Sequence, residues 1–296
     1  MGSRKSVSVN GLTIGGGAPV RVEGMLKTPL TNVEGCIADA EALRAAGCEL
    51  ARVSLPDLSL AANLGKLVKS TPLTLMADIH FNHKLALAAI DAGCRAIRIN
   101  PGNMSGAAGV KEVVAAARSS DVVIRIGANG GSLNNKQIED ARGDRAVALV
   151  AAVEEQLRIL LETGFSNLIL SAKSSSVPET IKANFMLAQK YPFPFHIGIT
   201  EAGGGTAGVV KGAAGISGML LQGIGDTIRV SLTAPGAEEV EVGYDILKAL
   251  EIRKRGFNFI RCPSCGRRRI DVAALSEKVK ALLPKDIKDG VTIAVM

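Results

Sequence analysis

Short runs of β-branched and aliphatic residues alternate along the chain with longer stretches rich in Ala and Leu. The pattern predicts strands over 20–25, 50–53, 73–78, 96–99, 122–126, 167–171, 195–200 and 227–231. It predicts helices over 32–46, 59–70, 82–92, 109–119, 146–163, 177–190, 207–222 and 237–250. Three helical stretches run into a glycine, Gly47 in "AAGCEL", Gly93 in "DAGCRA" and Gly164 in "ETGFSN". A left-handed residue is needed at that point to end a helix, and glycine adopts it without steric cost. Eight strands, each followed by a helix, predict an α/β fold of the (β/α)8 TIM-barrel type. An open doubly wound sheet is the alternative, because strand order is not written in the pattern.

In a barrel the chemistry sits at the C-terminal ends of the strands. Polar residues gather at those positions here. They are Arg52; Asp78 and His80; Arg98, Asn100 and Asn103; Arg125 and Asn129; Ser171 and Lys173; Thr200 and Glu201; Arg229 and Ser231. Arg52, Arg98, Arg125, Lys173 and Arg229 are five cations on five different strand ends. One such residue alone would read as solvated or paired. Five, facing only Asp78 and Glu201, crowd one another unless an anion sits among them. Guanidinium groups bind phosphate oxygens in pairs of hydrogen bonds. The glycine loops beside them, "NPGN", "GANGGS" and "EAGGG", can add backbone N–H donors. The expected substrate is strongly anionic, a diphosphate rather than a monophosphate. The long polar stretch 128–145 reads either as a lid or as a surface insertion.

Composition narrows the class. The chain has 296 residues, 47% hydrophobic and 3% aromatic, with no Trp, so a large core of short side chains is available. No apolar run has the length of a membrane span, and the N-terminus lacks the apolar core of a signal peptide. "MGSRKS" matches a myristoylation pattern formally, and an ordinary start is the preferred reading. Cys36, Cys48 and Cys94 stand singly in helix-like or strand-leading contexts and do not form a disulfide framework, which places the protein in a reducing cytoplasm. The net charge of +7 suits an anionic partner. "RKRG…RCPSCGRRR" is basic, but it lacks interleaved stacking aromatics beyond Phe257 and Phe259, so nucleic acid is not expected. "GGGTAG" at 203–208 matches G-x-G-x-x-G, yet no acid closes the next strand to hold a ribose. Asp78, His80, His83 and Glu201 could hold a metal; acid–base work or substrate hydrogen bonding by His80 suits them better. His196 lies in an apolar strand and reads as a core histidine.

Cys262 and Cys265 form a C-x-x-C pair. By spacing alone it is half a zinc site, half an iron–sulfur site, or a redox dithiol. The ordered motifs "ADIHF", "RINPGN", "IRIGANGGSL", "GITEAGG", "GIGDTIRVSL" and "CPSCGR" give the chain a resemblance over nearly its whole length. It resembles the 4-hydroxy-3-methylbut-2-enyl diphosphate synthases of the non-mevalonate isoprenoid pathway. The resemblance implies a barrel over 1–255, followed over 256–296 by the start of a small α+β domain carrying a [4Fe–4S] cluster. It implies reductive ring opening and dehydration of 2-C-methyl-D-erythritol 2,4-cyclodiphosphate, with electrons from ferredoxin or flavodoxin. It implies a homodimer in which one subunit's cluster domain covers the other's barrel. By the same resemblance, Arg52, Arg98, Arg125, Asn129, Lys173, Arg229 and Ser231 bind substrate. Asp78, His80 and Glu201 lie near the reacting carbons, Glu201 as proton donor or charge stabiliser, and Cys262 and Cys265 are cluster ligands.

Two departures stand out. The family often reads "VQSMTNT" at the first strand, whereas this chain reads "VEGMLKT", with Glu23, Gly24 and Leu26. Glu23 either adds negative charge to the mouth or pairs with an arginine. The family also supplies a third cysteine and a glutamate, expected just past Met296, so the chain is expected to be a shortened member with impaired turnover. Two further classes compete: a redox-silent barrel enzyme on a phosphorylated or pterin-like substrate with a zinc knuckle, the barrel resembling dihydropteroate synthase in outline, and a binding module completed by a partner chain.

Overall fold

The computed structural model describes residues 3–80, 82–100, 106–284 and 290–296. Asn103, one of the strand-end candidates, lies outside the described residues. The chain divides into two compact units, residues 1–243 and 244–296.

The first unit opens with a hairpin, β1 (Ser6–Val9) and β2 (Leu12–Gly15), paired antiparallel. Asn10 and Gly11 form its turn with φ of 49° and 81°. Both central residues of a type I′ turn need positive φ, and Asn-Gly meets that need at least cost. The hairpin is absent from the pattern-based reading, although "VNGL" carries its signal. Val7, Val9 and Ile14 pack against Leu50, Met76, Ala96, Val123 and Ile169. Three of these, Leu50, Ala96 and Val123, are the first residues of their strands, so the hairpin plugs the N-terminal end of the barrel.

Eight strands follow: β3 (Arg21–Met25), β4 (Leu50–Ser54), β5 (Thr74–Asp78), β6 (Ala96–Ile99), β7 (Val123–Asn129), β8 (Leu168–Lys173), β9 (His196–Ile197) and β10 (Thr227–Ile228). They run parallel in the order β8-β7-β6-β5-β4-β3-β10-β9. The Leu170 N–H donates to Pro194 O at 2.8 Å, and Leu170 bridges to Phe195, which joins β8 to the chain entering β9. The ring therefore closes, and the open-sheet alternative falls. Helices α1 (Val33–Ala46), α2 (Ala61–Ser70), α3 (His83–Asp91), α4 (Gly106–Ser119), α6 (Arg145–Leu161), α7 (Val177–Lys190), α8 (Gly205–Leu220) and α9 (Gly236–Ala249) follow successive strands. Gly47, Gly93 and Gly164 have φ of 98°, 99° and 72°, as their helix-ending role requires. The polar stretch after β7 holds a 3-10 turn at Gly130–Ser132 and a short helix, α5 (Asn135–Asp140), locked by a capping box between Asn134 and Gln137.

In the second unit β11 (Phe257–Arg261) pairs in parallel with β12 (Val291–Val295), with α10 (Val272–Leu282) between them in sequence. Among the described residues no helix is long and apolar enough to cross a membrane.

Candidate active site

Side chains alternate across a strand, so register decides which strand-end residues become neighbours. Asp78 on β5 pairs in register with Arg98 on β6, and Arg98 with Arg125 on β7. Asn129 pairs with Lys173 on β8. These pairings assemble a small, partly open pocket lined by Arg52, Arg98, Arg125, Asn129, Ser171, Lys173 and His196, with the backbone of Gly127. Four of the five predicted cations thus converge on one cavity.

The charges are balanced more fully than the sequence suggested. Asp78 is shared, with Arg52 Nε 3.3 Å from one carboxylate oxygen and Arg98 Nη1 3.4 Å from the other. His80 Nε2 stands 3.7 Å away, with its ring half in solvent. Burial pushes the Asp78 carboxyl up, but the His80 contact and the charges of Arg52 and Arg98 outweigh it and hold the group well below the usual carboxylate range. Arg125, almost wholly buried, donates from Nη1 to Glu23 Oε2 at 2.5 Å. This resolves the two readings of Glu23 in favour of an ion pair. The pair leaves Glu23 Oε1 and Arg125 Nη2 buried without a hydrogen-bond partner among the described residues. Arg229 lies outside the lining, 3.4 Å from Glu239 Oε2. Glu239 also takes Lys27 Nζ at 3.1 Å and the Leu232 N–H at 2.9 Å.

So the expectation of five cations against Asp78 and Glu201 needs correction. Glu23 and Glu239, both buried, supply the counter-charge, and none of the described ion pairs uses Glu201. Glu239 was invisible because it sits in the first turn of α9 and enters the barrel end only in three dimensions. Glu201 is exposed and carries a φ of 52°. That conformation is strained for a side chain with a Cβ, as is common beside functional sites. Ser231 is half-buried on the segment after Arg229.

His196 is buried, as expected of a core histidine, but it also lines the pocket. Its Nε2 is 2.7 Å from Lys173 Nζ and its Nδ1 is 2.8 Å from Thr227 Oγ1 and 3.5 Å from Glu23 Oε2. Burial, reinforced by Arg125, Arg52 and Arg229, pushes the Lys173 ammonium well below its ordinary value. Burial and the same cations push the His196 imidazole down as well.

The proposed metal set does not assemble. His83 faces Glu112 at 3.7 Å, and among the described residues no three His, Cys, Asp or Glu are placed to hold an ion. In "GGGTAG", Gly208 serves packing, since a Cβ there would meet Gly203 O at 2.7 Å.

Cys262 and Cys265 lie on an exposed turn after β11, and the Cys262 N–H extends the ladder to Val295 O at 2.9 Å. Ser264, between them, has a φ of 60°. Hydrogen bonds from the Arg267 backbone and side chain hold the Cys265 thiol below its ordinary value, favouring a thiolate. By contrast Cys48 and Cys94 are pushed up to about 12 by burial. The exposed pair therefore suits two ligands of an iron–sulfur cluster. Among the described residues no third donor joins it, so the donor set fits in part.

Residues 4–244 match the model of the GcpE TIM-barrel domain. The chain is 43% identical to a 4-hydroxy-3-methylbut-2-en-1-yl diphosphate synthase (flavodoxin) of Thermodesulfovibrio yellowstonii, covering 99% of this chain and 83% of that one. It is 42% identical to the synthase of the same name from Geobacter sulfurreducens, covering 99% and 82%. Among solved structures it is similar to the dihydropteroate synthase of Yersinia pestis, with a TM-score of 0.58 at 14% identity over 84% of this chain and all of that one. That likeness is one of fold. Barrel, strand-end motifs and relatives agree: the chain belongs to the GcpE family, through its TIM-barrel domain.

Proposed function

We propose that this chain carries out the reaction for which its relatives are named. It opens the ring of 2-C-methyl-D-erythritol 2,4-cyclodiphosphate reductively and eliminates water, giving 4-hydroxy-3-methylbut-2-enyl diphosphate. The observation that carries this reading is the convergence of Arg52, Arg98, Arg125 and Lys173 on one cavity, in a chain 40–43% identical to those synthases. A cyclic diphosphate presents its anionic oxygens on a compact ring, which suits several cations closing from different strands.

In this reading Arg52, Arg98, Arg125 and Lys173 hold the phosphates, and Asn129, Arg229 and Ser231 complete the grip at the rim. Asp78 fixes the planes of Arg52 and Arg98 by engaging both, which pre-organises them before substrate arrives. His80 stands beside Asp78 toward solvent, where the reacting carbons would lie. Glu201 serves as proton donor to the departing hydroxyl or as charge stabiliser there. Cys262 and Cys265 would be two ligands of a [4Fe–4S] cluster, which when bound supplies the electrons. Flavodoxin, named for the relatives, is the donor class, with ferredoxin as the alternative. The resemblance extends the reading to a homodimer, which light scattering of the purified protein would test.

The test is an anaerobic assay of the purified chain with the cyclodiphosphate and reduced flavodoxin. Arg98→Ala should raise KM roughly 10- to 100-fold, the loss of one charge-assisted contact. Iron and sulfide, rather than zinc, should accompany the exposed cysteine pair. Zinc in stoichiometric amount, with no product formed, would sink the reading in favour of a redox-silent barrel enzyme.

A further inference from the structure

Four buried side chains are joined by successive contacts at the pocket: Arg125, Glu23, His196 and Lys173. Resting on the cyclic-diphosphate reading of that pocket, we propose that His196 is a positioning residue. Backed by Glu23 and Thr227, it shares a proton with Lys173, so that binding of the anion draws one proton into the site.

The geometry supplies each part. His196 Nε2 lies 2.7 Å from Lys173 Nζ, and Nδ1 lies 2.8 Å from Thr227 Oγ1 and 3.5 Å from Glu23 Oε2. Such a chain has two self-consistent states. With a proton added, the Lys173 ammonium donates to Nε2, and the Nδ1–H donates to Thr227 Oγ1 on the side facing Glu23. Without it, the Nε2–H donates to a neutral Lys173 amine, and the Thr227 hydroxyl turns to donate to Nδ1. A hydroxyl is both donor and acceptor, so it can serve either state. Gly198 keeps the arrangement tight, because a Cβ there would lie 3.1 Å from Lys173 Nζ.

The charged groups facing the pair decide which state is favoured. Arg125, Arg52 and Arg229 oppose a further positive charge, and Glu23 favours one. Glu23 already engages Arg125, and burial adds to the opposition of the cations, so the empty pocket leans to the unprotonated state. A diphosphate among the same cations reverses the balance, and the proton comes from solvent. The sign follows. The ligand prefers the protonated pair, so affinity is highest below the free pair's pKa. It falls about tenfold per pH unit between the free and the bound values and is level again above both.

Calorimetry of cyclodiphosphate binding to the full chain, purified anaerobically and titrated in buffers of different ionisation enthalpy, tests this directly. Each phosphorus of the ligand carries one ester and one anhydride linkage, leaving a single strongly acidic oxygen that does not titrate near neutral pH, so any proton taken up reports the protein. Close to one proton per ligand is expected within the window. Glu23→Gln, which keeps the shape and brings back the residue of the family motif, should move the window to lower pH. His196→Asn keeps the contact toward Thr227 but removes the acceptor for Lys173. It should weaken binding at least tenfold and abolish uptake near neutral pH. His196→Gln restores an acceptor and should recover part of the affinity. Tight binding by the unaltered protein with no uptake overturns the proposal, as does the same uptake in His196→Asn and Glu23→Gln. No binding at all by the unaltered protein overturns the reading of the pocket and this inference with it.

Discussion

Glu23 and Arg125 show how much one buried pair can decide. Neither is appreciably exposed, and their charges meet at 2.5 Å at the wall of the cation-lined pocket. Removing one partner of such a pair strands the other charge, at a cost of about 3–5 kcal/mol. Glu23→Leu should therefore lower the unfolding free energy by roughly that amount in urea melts. The double variant Glu23→Leu with Arg125→Met should recover most of it, since well-packed apolar replacements of a buried pair are close to neutral. The same double variant should bind the cyclodiphosphate poorly, separating stability from function. Asp78 makes a pH prediction. Its folded pKa is depressed, so its contribution to stability is present above the unfolded value near 4 and is lost as pH falls below it. Asp78→Asn should remove part of the acid sensitivity of the urea midpoint below about pH 4 while changing little at pH 7 beyond the lost contacts.

At the scale of elements, the barrel has one end for stability and one for chemistry. The β1–β2 hairpin fills the N-terminal end with Val7, Val9 and Ile14. Ile14 is fully buried, and Ile14→Ala should cost about 2–5 kcal/mol through lost burial and the cavity left behind. Its KM should stay unchanged, because the pocket opens at the other end. A large rise in KM for Ile14→Ala would show that the plug and the site are coupled. The short β9 and β10 carry little regular ladder, yet His196, Thr227 and Arg229 hang on or just past them. These two strands give up regular pairing where the polar chain beneath the pocket is built.

For the whole molecule, charge is distributed unevenly. Residues 244–296 contain twelve Lys and Arg against six Asp and Glu, so they hold six of the chain's seven net positive charges. The first unit, despite its cluster of arginines, is left at a net charge of +1. A basic unit bearing the exposed cysteine pair should steer an acidic carrier protein electrostatically. Reduction by flavodoxin should slow several-fold between about 0.05 and 0.5 M salt, as the Debye length shrinks from over 10 Å to below 5 Å. Reduction by a small uncharged or chelated reductant should change far less. Equal salt dependence for both donors would count against steering.

The alternation of strand-like and helical runs determined the eight βα units, because periodicities of two and of about three and a half residues are local properties of the chain. The positions of Arg52, Arg98, Arg125 and Lys173 at strand ends were legible for the same reason, and the motif order carried the family. Three things were not local. Closure of the ring rests on β8 meeting the chain before β9. The plugging hairpin had a turn signal but no periodic length. The pairing of each arginine with Glu23, Asp78 or Glu239 joins residues from ten to more than a hundred positions apart. Sequence spacing fixes which residues a strand end offers. Only the closed barrel, by joining β9 to β8 and letting Glu23 of β3 reach Arg125 of β7 across the ring, decides which charges neutralise one another and which remain for a ligand.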